Sequence, residues 1–309
     1  MSTLAKSPSR TWQTAAMAAD PISTTLDQAV TDLTARLASL PEARREAEAL
    51  ACAALGISRT TLIVEGRRQV TPAERARLTA WAERRAAGEP LAYLTGKREF
   101  WSMTLQVSPA VLVPRPETEL LIERALTLGD AAAPLKVLDL GTGSGAIALA
   151  LARERPAWRI IATDRSAEAL ELARQNAEQL GIGTVSFLQG DWFDALPTTN
   201  IIERVDLAIS NPPYVAADDP LLTGDSLRFE PRGALTPGLD ALSDLYRLID
   251  TAPRYLARHG WLLLEHGSTQ ATAIRARLVA RGFTHVVSHR DLAGHERMTE
   301  GRWTDTARN

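Results

Sequence analysis

The chain has 309 residues, 45% of them hydrophobic and 23% charged, with a formal net charge of −2. This is a globular composition with enough chain for one large domain or two ordinary ones, and it excludes a uniformly basic field for gripping a nucleic-acid backbone. A single cysteine, Cys52, excludes a disulfide framework or a cysteine-based metal site within the chain.

Cys52 reads as a small buried hydrophobe on a helix. No run approaches the ~20 apolar residues of a membrane span. No apolar segment follows Lys6 and Arg10, so no secretory signal is evident and the cytoplasm is the expected location.

In chain order, residues 1–24 are rich in Ser, Thr and Ala, contain Pro8 and Pro21, and are expected to form a disordered extension. Residues 25–90 then turn helical. Leu26, Val30, Leu33 and Leu37 fall at spacings of three and four after Thr25, an N-cap candidate. Glu46, Ala47, Leu50, Ala51 and Leu55 continue the pattern until Gly56 closes the helix. Thr71-Pro72-Ala73-Glu74 is a capping box opening a helix through Leu78, Trp81 and Arg85. A helical domain of roughly 65 residues is near the lower limit for folding alone and is expected to lean on its neighbour or on a partner.

Residues 91–113 predict a β-hairpin linker, from Leu91–Gly96 and Met103–Val107. A helix is expected from about Glu117. From Leu135 the rhythm is strand–helix–strand. Strands are predicted at Lys136–Leu140, Arg159–Asp164, Val185–Gln189, Val205–Ser210, Trp261–Glu265 and Phe283–His289, with helices at Ala146–Arg155 and Ala167–Leu180. This alternation predicts an α/β fold over residues 114–309, with a mostly parallel, doubly wound, Rossmann-like sheet.

Val137-Leu138-Asp139-Leu140 runs into Gly141-Thr142-Gly143-Ser144-Gly145 and then a helix. Glycines let the backbone approach a ligand, and free N–H groups of the first helical turn face it. Asp164, ending the next strand, can accept both hydroxyls of a ribose. The loop suits a methyltransferase, but Gly141, Gly143 and Ala146 also satisfy the relaxed dinucleotide fingerprint, and a plain structural turn has the same glycines. At the third strand end, Asp191 can meet an adenine amino group and Trp192 can offer a flat face; equally, Asp191 can cap a turn and Trp192 pack in the core.

Asn211-Pro212-Pro213-Tyr214 follows the fourth strand. Two prolines fix φ and remove two donors, leaving the Asn211 side-chain oxygen and the Pro212 carbonyl as acceptors for one NH₂ group. Such a group is a poor nucleophile because its lone pair is delocalised. Two rigid acceptors orient that lone pair and stabilise positive charge developing on nitrogen. Tyr214 can stack on the flat acceptor group. His259, His266, His285, His289 and His295 show no metal-ligand spacing, so no metal is expected.

Taken together, these motifs resemble the bacterial peptide chain release factor protein-(glutamine-N5) methyltransferases, the PrmC/HemK family, over roughly residues 25–305. Further matches are Gly88-Glu89-Pro90-Leu91, Leu94-Thr95-Gly96, Arg98-Glu99-Phe100-Trp101, Val113-Pro114-Arg115-Pro116-Glu117-Thr118-Glu119, Arg228-Phe229-Glu230-Pro231 and Leu264-Glu265-His266-Gly267. The resemblance implies a class I methyltransferase fold and S-adenosylmethionine as methyl donor, with S-adenosylhomocysteine as product. It places Gly141, Thr142, Gly143, Ser144, Gly145, Asp164 and Trp192 at the donor, to which the strand-end reading adds Asp191, and Asn211, Pro212, Pro213 and Tyr214 at the substrate, with Asn211 also touching the donor. Asn211, Pro212 and Tyr214 carry the catalytic role. The implied substrate is the glutamine of a Gly-Gly-Gln loop in release factors 1 and 2, methylated by a monomer without nucleic acid or membrane.

Two alternatives use the same pocket: a glutamine methyltransferase of a large-subunit ribosomal protein and a nucleic-acid amino methyltransferase. Arg115 and Glu117 read as pocket mouth or as a structural ion pair, Glu230 and Arg232 as a pair on a solvated loop, and Glu265 and His266 as packing.

Overall fold

The computed structural model describes residues 24–129, 133–196, 204–224 and 226–304. The extension expected over residues 1–24 lies outside the described residues, Thr24 excepted. The chain divides into two compact units between Ala86 and Ala87.

In the first unit, helix α1 (Leu26–Arg36) starts at Thr25, whose side chain accepts from the Gln28 N–H while the Gln28 side chain accepts from the Thr25 N–H. Its buried stripe is Leu26, Ala29, Val30 and Leu33. Helix α2 (Ala43–Leu55) buries Ala47, Leu50, Ala51 and Ala54, small residues that let helices approach closely, and ends at Gly56 with φ 68°. Cys52, expected to be buried, is half-buried, because it lies off that face. Helix α3 (Arg59–Val64) is too short to show a 3.6-residue period, so the sequence did not reveal it; Ser58 caps it. Helix α4 (Pro72–Ala86) opens with reciprocal Thr71–Glu74 hydrogen bonds of 2.8 and 3.2 Å. Its inward face is Leu78 and Ala82, with Trp81 half-buried.

The second unit begins with helix α5 (Leu91–Thr95), where the sequence predicts the first arm of the hairpin; Pro90 and Gly96 (φ 68°) bracket a single helical turn there, and the arm is instead β1 (Lys97–Phe100), antiparallel to β2 (Met103–Gln106). Trp101 and Ser102 form the two-residue turn with φ 48° and 53°, the left-handed geometry that matches hairpin twist. A short 3₁₀ turn (Pro116–Thr118) leads into helix α6 (Glu119–Leu128). Next come β3 (Lys136–Leu140), α7 (Ala146–Glu154), β4 (Arg159–Asp164), α8 (Ala167–Gln179), β5 (Val185–Gln189) and β6 (Val205–Ser210). The chain continues with α9 (Arg232–Leu235), α10 (Ser243–Thr251), β7 (Leu256–Glu265), α11 (Ala271–Arg281), β8 (Phe283–Arg290) and β9 (Glu296–Trp303).

Strands β3 to β9 form a seven-stranded sheet in the order β5-β4-β3-β6-β7-β9-β8. Pairings from β5 to β7 are parallel, and β9 runs antiparallel to both β7 and β8. Alternation along each strand divides the core between two faces. Val137, Leu207, Ile209 and Leu263 pack on one face with α6, α7, Phe100, Met103 and Leu105. Leu138, Leu140, Ala208, Leu262 and Leu264 pack on the other with α10, α11 and Phe193. Helix α7 is buried from Ala146 to Ala152, which explains its nearly unbroken apolar sequence.

Two differences from the sequence reading occur near the antiparallel edge. Strand β7 starts at Leu256, five residues before the predicted Trp261, because Arg258-His259-Gly260 masks its period. A bulge accompanies that stretch, and His259 has φ 70°. Strand β9 was not anticipated because Glu-Arg-Met-Thr-Glu-Gly-Arg-Trp has no apolar alternation. Its buried polar groups are paired: Arg124 donates to Glu300 at 2.6 and 2.8 Å, and Thr299 bonds to His266 at 2.8 Å. Among the described residues no helix is long and apolar enough to cross a membrane.

Candidate active site

The winding direction of the sheet reverses between β3 and β6, and such a switch point opens a crevice at the strand C-termini. Register aligns Leu140 with Ser210, so the glycine loop and Asn211–Tyr214 leave the sheet side by side. Ser210 ties the two ends together through a 2.7 Å bond to the Leu140 carbonyl.

A cavity of about 300 Å³ occupies the crevice. Gly141, Thr142, Gly143, Ser144, Asp164, Asp191, Trp192, Asn211 and Pro213 line it. Gly145, Pro212 and Tyr214 do not line it. Gly145 packs against Leu149 and Ala173 at the start of α7. Pro212 is buried, and the Tyr214 hydroxyl is 3.2 Å from Glu265.

The glycine loop is held on several sides. The N–H groups of Gly141 and Thr142 both donate to the Thr163 carbonyl at 2.9 Å. Gly141 has φ 76°, and a Cβ there would meet the Trp192 ring at 3.0 Å, so ring and loop lie in contact. Asn176 of α8, overlooked in the sequence, donates to the Ser144 carbonyl at 2.9 Å and grips both backbone groups of Gln106. This buried side chain fastens the loop to the hairpin.

These residues fit the S-adenosylmethionine expected from the sequence. Asp164 accepts from the Gly143 N–H and the Ser166 N–H, each at 2.9 Å, which fixes its carboxylate at the cavity wall with acceptor capacity remaining for ribose hydroxyls. A Cβ on Gly143 would meet nothing within 4 Å, so the loop backbone borders open space. Trp192, with φ 55°, presents its ring to the cavity. The Asp191 carboxylate is engaged by Arg247, which also binds Asp194 at 2.9 Å.

The opposite wall comes from the segments around Val113-Pro114-Arg115 and Glu230-Pro231. Glu230 does not pair with Arg232. Its buried carboxylate accepts from Arg115 and from the Val113 N–H at 3.0 Å, whereas Arg232 donates to the Ala217 carbonyl. Burial explains the choice, since a desolvated carboxylate needs a charged partner and a backbone donor. Glu117 neighbours Thr118, whose hydroxyl reaches Glu265 at 2.7 Å. Glu265 and His266 are therefore more than packing: Glu265 also binds Tyr214, and His266 bonds to Thr299.

Beneath the loop, Asp139 is fully buried. Its Oδ2 accepts from Thr142 at 2.7 Å and from the Ala148 N–H at 3.2 Å, while Oδ1 has no hydrogen-bond partner among the described residues. Burial pushes its pKa up to about 7, and nearby Asp164 pushes the same way. The folded state thus binds this proton more tightly than the unfolded chain does. The resulting stability is fully present below the ordinary aspartate range and is lost as pH rises towards about 7. Asp139→Asn keeps the acceptor and removes the titration. Its stability relative to wild type is expected to improve through that window, by at most about 1.4 kcal/mol per pH unit. Urea denaturation at several pH values measures this; parallel curves for the two proteins would refute it.

Comparison with known proteins agrees with this architecture. Residues 28–96 match the PrmC N-terminal domain family and residues 132–303 a methyltransferase domain family. Release factor glutamine methyltransferase from Salmonella typhimurium is 47% identical over 84% of this chain and 92% of its own length. The enzyme of that name from Pseudomonas aeruginosa is 47% identical over 87% and 95%, and that from Burkholderia pseudomallei 48% identical over 83% and 91%. Among solved structures, the hMettl16 catalytic domain in complex with MAT2A 3′UTR hairpin 1 superposes with a TM-score of 0.53. It covers 77% of this chain and 83% of that one, at 16% identity, a likeness of fold alone. The chain belongs to the release factor glutamine methyltransferase family, whose methyl donor is S-adenosylmethionine.

Proposed function

We propose that this protein methylates the side-chain amide nitrogen of the glutamine in the Gly-Gly-Gln loop of peptide chain release factors 1 and 2. The observation that carries this reading is the position of Asn211 on the cavity wall, beside the glycine loop, with its NH₂ engaged by Thr118 at 3.1 Å. That leaves its carbonyl oxygen as the acceptor for an incoming NH₂ group. The names of the relatives supply the substrate class.

When bound, S-adenosylmethionine supplies a methyl group activated on a sulfonium, held by the loop Gly141–Ser144, Asp164, Asp191, Trp192 and Asn211. Asn211 and the Pro212 carbonyl accept the two amide hydrogens and fix the plane of the substrate nitrogen. The same acceptors stabilise the positive charge that builds on nitrogen. No general base is needed, since the alkylated nitrogen becomes acidic and its proton can leave to solvent. Pro213 and Tyr214 complete the substrate grip. In this reading residues 25–90 dock the protein substrate, 91–113 link, 114–309 perform the transfer, and the enzyme acts as a cytoplasmic monomer.

The test is methyl transfer from labelled donor to purified release factors 1 and 2, each also prepared with the loop glutamine changed to alanine. Labelling of the native factors alone is expected. Equal labelling of both forms, or labelling of a ribosomal protein or nucleic acid instead, would reject the assignment.

A further inference from the structure

A chain of three hydrogen bonds stands behind Asn211. The Asn211 Nδ2 lies 3.1 Å from the Thr118 Oγ1, which lies 2.7 Å from Glu265 Oε2; Glu265 Oε1 is 3.2 Å from the Tyr214 hydroxyl. Thr118 and Glu265 are both buried, Thr118 at the inner wall of the cavity. We propose that Thr118 and Glu265 are positioning residues which set the orientation of the Asn211 amide, and thereby its acceptor, through a relay that requires the ionised carboxylate. This rests on the reading that Asn211 receives the substrate amide.

An ionised Glu265 can only accept. It therefore takes the one hydroxyl proton of Thr118 and that of Tyr214. The Thr118 oxygen is then left as an acceptor, which only the NH₂ end of Asn211 can satisfy. The Asn211 carbonyl is turned away from Thr118, as an acceptor for a substrate NH₂. A protonated Glu265 can donate to Thr118 instead. The Thr118 proton is then free to bond the Asn211 carbonyl, and the flipped amide presents NH₂ to NH₂, a repulsive contact.

Burial favours that protonated form and pushes the Glu265 carboxyl up to about 7. Thr118 and Tyr214 pull it down, as does Arg297 of β9, whereas Glu117 on the turn before α6 pushes it up. His266, next in the chain, faces Thr299 and the Gly267 carbonyl. The relay is therefore set to change state close to neutral pH.

The experiment compares wild type with Thr118→Val, Thr118→Ser, Glu265→Gln and Asn211→Ala in methyl transfer to a release factor, with donor affinity measured separately. Thr118→Val replaces the hydroxyl with a methyl of similar size and is expected to lower kcat at least about tenfold with a much smaller change in donor Kd. Thr118→Ser is expected to restore most of the loss. Wild-type kcat should fall as pH drops below about 7, a limb absent in Glu265→Gln. Thr118→Val turning over like wild type overturns the proposal and leaves glutamine methylation standing. Asn211→Ala turning over like wild type overturns that reading and the proposal with it. Should the Thr118 and Glu265 variants fail to fold, the wild-type profile decides: a flat kcat from about pH 5.5 to about pH 8.5 overturns the proposal.

Discussion

Asn211→Ala is expected to lower kcat by about 10²–10³ while changing donor affinity little, because it removes a polar contact preorganised for the reacting nitrogen. Asn211 is half-buried at the cavity wall, its NH₂ is engaged by Thr118, and Pro212 and Pro213 on its C-terminal side are buried, which fixes the backbone that carries it. Alanine leaves this backbone in place and withdraws only the side-chain acceptor. The substrate NH₂ is then held by the Pro212 carbonyl alone and can rotate out of the productive plane. Thr118 loses a donor, a modest cost, since its own proton stays with Glu265. Single-turnover methylation at saturating donor reads the effect on the chemical step, and calorimetric titration of the donor reads binding. Unchanged turnover would refute the role assigned to Asn211.

Asp164→Ala has the opposite signature, with donor Kd raised about 10²-fold and turnover at saturating donor much closer to wild type. The Asp164 carboxylate accepts from the Gly143 and Ser166 N–H groups, so it fixes the loop as well as offering acceptors to ribose hydroxyls. Hydrogen bonds to a charged group contribute about 1.5–3 kcal/mol each, and the lower end of that range for the two to ribose corresponds to the predicted change. Freed from Asp164, the Gly143 N–H is a donor bordering the cavity without its partner. Asp164→Asn should lose less, because one oxygen remains as an acceptor. Donor titration followed by Trp192 fluorescence checks both variants, since its ring lines the same cavity. Donor affinity equal to wild type in Asp164→Ala would remove Asp164 from the donor site.

Much of this was legible in the amino-acid order. Strands β3 to β6 declare themselves as short apolar runs, and α7 and α8 as the segments between them. Thr25 and Thr71 mark their helices because capping is a contact between residues three apart. Gly141 and Gly143 mark a loop by the positive φ they adopt, 76° and 55°. Each of these signals is local, and a local signal survives in sequence.

What surrounds the reacting groups is of another kind. Strand β9 is polar in composition and becomes a buried strand only because Arg124 and His266 reach its Glu300 and Thr299. Glu230 looks like the partner of Arg232, two residues away, yet binds Arg115. Thr118 lies 93 residues from Asn211 and 147 from Glu265, and no spacing rule connects them. Amino-acid order therefore carries β3 to β6, α7, α8 and the glycine loop between β3 and α7. The order of strands that sets β3 beside β6, and the run of hydrogen bonds from Glu265 through Thr118 to Asn211, arise only in the folded chain. Periodicity and capping depend on neighbours along the chain, whereas the partner of a buried polar group depends on which distant segments are desolvated together.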